Sequence, residues 1–105
     1  MQLNSSIAKY QNKLNALCEE YKVKKFYAFG SSIRDDFKFY SDADFLVEFK
    51  GEDDNSLVSE RFIWFKRELA YVLKRPVDLI LLKSAMKSKL RMEIKEEKYL
   101  IWGKD

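Results

Sequence analysis

The chain of 105 residues carries 20 Lys and Arg against 17 Asp and Glu, a formal net charge of +3, and has no histidine. Without imidazole it cannot run a Ser-His-Asp or Cys-His relay or build a His-ligated zinc site, so any catalysis must come from carboxylates, hydroxyls, lysines or a metal held by oxygen. The single cysteine, Cys18, excludes an intrachain disulfide and a cysteine-only metal cluster, and reads as the usage of an intracellular, cytoplasmic protein.

The opening MQLNSSIAKYQNK has no apolar h-region. Runs such as Leu79 to Leu82 fall far short of the roughly 20 apolar residues of a membrane span, so a soluble protein with no targeting segment is expected. Charged residues make up 35% of the chain with both signs interspersed. A charge of +3 in that setting reads as solubility and makes no case for a nucleic-acid groove. The length suits one domain, residues 1–105, and aromatic residues at 15% supply the means for a core.

In chain order, Ile7, Tyr10, Leu14, Leu17 and Tyr21 recur at spacings of three and four, which predicts an amphipathic helix capped by Asn4 or Ser5. Val23 to Phe29 (VKKFYAF) is a short aromatic and branched run that stops at Gly30, as a buried strand would. A short helix is expected within Ser31 to Phe39. Asp44 to Phe49 (DFLVEF) follows as a second strand, ending in the polar KGEDDN. Leu57, Phe62, Phe65, Leu69, Val72 and Leu73 trace one side of a long helix from a Ser56 cap to Leu73, closed by Arg75-Pro76. Trp64 lies off that stripe, either as an ordinary exposed aromatic or as a partner surface. Val77 to Leu82 (VDLILL) predicts a third strand, nearly all apolar and therefore central. A last helix over Ala85 to Glu97 carries Met86, Leu90 and Ile94, and the apolar tail Tyr99 to Trp102 docks on the body. Strands alternating with helices give an α/β or α+β class, a small mixed sheet flanked by helices.

Three acidic residues stand out. Asp42 and Asp44, two apart, project from one face of an extended backbone. Asp78 interrupts an apolar run, where an unpaired buried charge would cost several kcal/mol. If the strands holding Asp44 and Asp78 are neighbours, the carboxylates converge and call for a cation, and hard oxygen donors suit Mg²⁺. Upstream, Gly30-Ser31-Ser32 joins a strand to an expected helix start, so that backbone N–H groups and two hydroxyls would cradle phosphate. Taken singly, Asp42 also reads as a turn or cap residue, Asp44 as a strand-edge residue and Ser31 as a plain turn residue. Glu48 shares the strand face of Asp44 and reads as solvated, and Glu52, Asp53 and Asp54 as a soluble turn.

Gly30-Ser31, ten intervening residues, Asp42-Ala43-Asp44 within FGSSIRDDFKFYSDADFLVEF, and a later carboxylate in RPVDLI resemble the motif of the DNA polymerase β nucleotidyltransferase superfamily. In particular they resemble its small stand-alone members, the minimal nucleotidyltransferases (MNT). The resemblance implies a polymerase β palm-like fold and transfer of a nucleoside monophosphate, AMP from ATP, with two Mg²⁺ ions. It assigns the metals and the chemistry to Asp42, Asp44 and Asp78, and the nucleotide phosphates to Gly30, Ser31, Ser32 and Arg34. It also implies that the acceptor hydroxyl is on a HEPN-type partner protein, with this chain as the antitoxin-like half of a two-gene module. Asp35 departs from the family pattern, which places a glycine there, and is expected to point outward. The alternatives are an aminoglycoside-type enzyme acting on small molecules and a non-catalytic nucleotide- or protein-binding module. Homo-oligomerisation stays open.

Overall fold

The structure is a computed structural model and describes residues 3–33, 42–51, 55–86 and 97–104. Four strands, β1 (Val23–Phe29), β2 (Ala43–Phe49), β3 (Val77–Leu81) and β4 (Lys98–Trp102), make one mixed sheet in the order β3-β2-β1-β4. β1 runs antiparallel to both β2 and β4, whereas β2 and β3 are parallel. The parallel pair requires a crossover, which the long helix α3 (Asn55–Leu73) supplies. Two shorter helices, α1 (Ser5–Ala8) and α2 (Gln11–Glu20), precede β1, and α4 (Leu82–Met86) follows β3 directly.

Strand alternation divides the sheet into two apolar faces. Ala43, Phe45, Val47 and Phe49 of β2, with Phe26 and Ala28 of β1, join Ile7, Leu14, Leu17 and Cys18 from α1 and α2 and Phe65, Leu69 and Leu73 from α3. At the centre Phe26 stacks on Phe45 with ring centroids 4.8 Å apart, and Phe65 meets Phe26 and Phe49 edge-on at 5.3 and 5.8 Å. On the opposite face Tyr27 and Leu46 pack with Ala85 of α4. The indole of Trp102 donates to the Val23 carbonyl at 3.0 Å, tying β4 to the start of β1.

Several expectations are corrected. The first helix is two, because the chain breaks at Tyr10, whose φ of −100° and ψ of 13° leave the helical basin. Asn4 does cap α1, its side chain accepting from the Ser6 N–H at 2.9 Å. Helix α3 begins at Asn55, so Ser56 lies inside it. β3 is an edge strand among the described residues, not a central one. Its apolar run instead reflects cover on both faces, with Leu79 in the core beneath α3 and Ile80 beside α4. The tail beyond Tyr99 does dock, as the edge strand β4. Helix α4 starts at Leu82, and Leu90 and Ile94 lie outside the described residues. The short helix after Gly30 is described only as a 3₁₀ turn, Gly30–Ile33. Among the described residues no helix is long and apolar enough to cross a membrane.

Phe65 fills the junction of α3 with the sheet, so Phe65→Ala should lower the unfolding free energy by about 3–5 kcal/mol in urea titrations. Burial pushes the Cys18 thiol up to about 12 and raises the Tyr21 hydroxyl too, where burial is the first cause and the charges of Glu68 and Glu20 add to it. Both groups stay protonated in the fold while their unfolded counterparts ionise at lower pH. Their contribution is therefore complete below about pH 8.5 and is lost as the pH rises toward the folded values. The urea midpoint should fall between pH 8.5 and 11 (approximate limits), and less steeply in Cys18→Ala.

Candidate functional site

Asp44 sits one residue into β2, on the face that carries Leu46 and Tyr27, and is partly exposed. Its registered partners are Phe29 on β1 and Asp78 on β3. Registered residues of adjacent parallel strands share a face about 4.8 Å apart, so Asp44 and Asp78 stand side by side, and Asp78 is exposed. Phe29 is in turn registered with Lys98, which places Lys98, Phe29, Asp44 and Asp78 in one row across the sheet. Lys98 carries its ammonium over the Tyr27 ring at 5.2 Å. Sequence reading does not single it out, because it takes the segment only as an apolar tail from Tyr99 to Trp102 and Lys98 lies just ahead of that.

The end of β1 meets the start of β2 in a set of hydrogen bonds. The Ser31 N–H donates to Asp44 Oδ2 at 3.1 Å, and the Ser31 hydroxyl lies 2.8 Å from the same oxygen and 2.7 Å from the Asp42 carbonyl. One hydroxyl proton serves one of those acceptors at a time. In return, the Asp44 N–H donates to the Ser32 hydroxyl at 2.7 Å. The Asn4 N–H donates to the Ser32 carbonyl at 2.9 Å, so the first residues of the chain hold the turn from behind. Gly30 makes the approach possible. Its φ of +54° is a left-handed conformation, and a Cβ there would stand 2.7 Å from Asp44 Oδ2.

The anion received by the Gly30-Ser31 turn in this structure is thus the chain's own carboxylate. Ser32, expected to offer its hydroxyl to phosphate, is fully buried and engaged with the Asp44 backbone. Asp42 lies just ahead of β2 and is exposed, and Arg34 and Asp35 lie outside the described residues. Among the described residues no group of three His, Cys, Asp or Glu side chains stands close enough to hold a metal, while two of the three expected carboxylates, Asp44 and Asp78, are brought side by side. Glu48 is four residues beyond Asp44 along β2 and forms an ion pair with Lys24 at 3.9 Å.

The donor set nonetheless fits Mg²⁺. That ion is ordinarily held by one or two carboxylates with waters and substrate phosphates completing the shell, and Asp44 beside Asp78 offers hard oxygens of that kind at an open strand end.

A family model described as "Nucleotidyltransferase domain" matches residues 11–101. No curated protein matches the sequence. Among solved structures, the MntA–HpeT toxin–antitoxin, in a variant with two Asp-to-Glu substitutions, is 26% identical with a TM-score of 0.67, over 90% of this chain and 74% of that one. An MNT antitoxin in complex with the tri-AMPylated HEPN toxin of Shewanella oneidensis is 28% identical with a TM-score of 0.63, over 92% and 72%. A toxin–antitoxin structure with AMP-PNP is 27% identical with a TM-score of 0.64, over 90% and 74%.

Gly30→Ala would force a side chain into the left-handed region, at about 1–2 kcal/mol. It would also push the Asp44 carboxylate away from the bonds that Ser31 makes to Oδ2. The expected result is a fold that survives with the Asp44 carboxylate displaced from Ser31, seen as a moderate fall in melting temperature and a crystal structure lacking the Ser31–Asp44 contact.

Proposed function

Because the chain belongs to the nucleotidyltransferase domain family, we propose that it transfers AMP from ATP, with Mg²⁺, to a hydroxyl group on a HEPN-type partner protein. The observation that carries this reading is the pairing of Asp44 with Asp78 across parallel strands, directly beside the Gly30-Ser31 turn. The likeness to an MNT antitoxin bound to an AMPylated HEPN toxin, and to a toxin–antitoxin with AMP-PNP, supports the choice of partner and nucleotide.

In this mechanism Asp42 and Asp44 would hold the metal that accompanies the triphosphate, and Asp78 would share a second one. Bound Mg²⁺ would add Lewis-acid polarisation of the phosphate oxygens and neutralise the charge that develops on the leaving group. The Ser31 hydroxyl, which faces Asp44 in this structure, would turn its proton to a phosphate oxygen of the bound triphosphate, while Gly30 keeps the backbone low enough for the phosphates to approach. Arg34, on the sequence just beyond the turn, is assigned to the same phosphates. Asp78 accepts the proton of the attacking hydroxyl. The new bond joins that oxygen to the α-phosphorus, the bond from the α-phosphorus to the bridging oxygen breaks, and pyrophosphate leaves. No imidazole takes part, in keeping with a chain that has none.

The test is labelling with ATP radioactive at the α-phosphate, with Mg²⁺, in the presence and absence of the product of the adjacent gene. Label should appear on the partner and fall by about 100-fold or more when Asp44→Asn removes a charge that the transition state relies on. Label on a small molecule would redirect the assignment, and label on neither protein nor small molecule would overturn it.

A further inference from the structure

Ser32 is the buried polar residue of the described core, with no exposed surface, and its hydroxyl has a specific use. Along β2 the Ala43 N–H donates to the Pro76 carbonyl at 3.0 Å on the β3 side. The next N–H of a strand points to the opposite neighbour, so that of Asp44 faces β1. β1 ends at Phe29 and the chain turns away into Gly30–Ile33. The Ser32 hydroxyl, 2.7 Å from the Asp44 nitrogen, accepts that N–H where β1 gives way to the turn.

The carboxylate of the same residue is held by the preceding serine. Ser31 binds Asp44 Oδ2 through its N–H and hydroxyl while Ser32 accepts from the Asp44 backbone, so consecutive residues of one turn hold the backbone and the side chain of a single aspartate. A carboxylate pinned at one point can rotate about its backbone. Pinned at two, it has a fixed direction. We infer that Ser32 is a positioning residue: its buried hydroxyl fixes the Asp44 backbone and so aims the Asp44 carboxylate, without touching nucleotide or metal itself. For what Asp44 is aimed at, this rests on the nucleotidyl-transfer reading above.

Hydrogen bonds that orient metal-binding carboxylates are worth about 10–100-fold in metal affinity or activity when removed. Ser32→Ala, close to isosteric, should therefore speed hydrogen exchange at the Asp44 amide in ¹⁵N-labelled protein. It should also weaken Mn²⁺ binding about 10-fold, read by electron paramagnetic resonance with α,β-methylene-ATP present. Ser32→Thr, which keeps the hydroxyl, should restore both. Cys18→Ala, an equally small cut in the core away from the site, should leave both near the wild-type values. Wild-type Asp44 protection and Mn²⁺ affinity in Ser32→Ala would overturn the inference, as would an equal loss of affinity in Cys18→Ala. If Ser32→Ala fails to fold, Ser32→Cys with its weak sulfur acceptor takes its place: an intermediate loss supports the inference and none overturns it. A wild-type chain that takes up no Mn²⁺ would sink the nucleotidyl-transfer reading together with this one, whereas normal uptake by both wild type and Ser32→Ala sinks this one alone.

Discussion

A carboxylate at the end of a sheet needs hydrogen-bond donors, and in this chain the turn that ends the neighbouring strand supplies them to Asp44. Much of the local architecture follows from that. Gly30 must lack a side chain because the carboxylate oxygen occupies the space beside it. β1 must stop at Phe29 so that Ser31 and Ser32 can turn inward, and β2 must begin close enough for its second residue to meet them. The hydrogen bonds to an ionised acceptor are of the stronger kind, and they are made at the last registered pair of β1 with β2.

The sequence made much of this legible, for identifiable reasons. The strands at Val23 and Asp44 are short, aromatic and branched, with a glycine or a polar run at their ends, and they fold as read within one residue. The neighbouring placement of Asp44 and Asp78 was conditional on two strands being adjacent, and their parallel register meets that condition. The reading of VDLILL as central failed because apolarity on both faces of a strand reports cover above and below the sheet, not the number of strands beside it. The break at Tyr10 was invisible because the buried positions Ile7, Leu14 and Leu17 keep a helical spacing across it. Lys98 was missed with its strand. Ser32 carries no periodic or compositional signal, since its role depends on an N–H twelve residues away in the chain.

The carboxylates also separate into unequal partners. Asp44 is oriented by the turn, Asp78 stands exposed on β3, and Asp42 lies outside the strand with its carbonyl 2.7 Å from the Ser31 hydroxyl. A site composed in this way has one fixed donor and others free to adjust. That division suits a metal whose coordination is completed by the substrate, because only part of the shell needs to be rigid in advance.

The Asn4 N–H bond to the Ser32 carbonyl gives the beginning of the chain a share in this arrangement. α1 is only four residues long, and Ile7 anchors it in the core. Residues 4–8 therefore act as a buttress behind the turn. Fusion partners, affinity tags or proteolytic trimming ahead of Ser5 would load that buttress directly, whereas the same additions after Trp102 would bear on the far edge of the sheet, where β4 ends on the opposite side of β1 from Asp44.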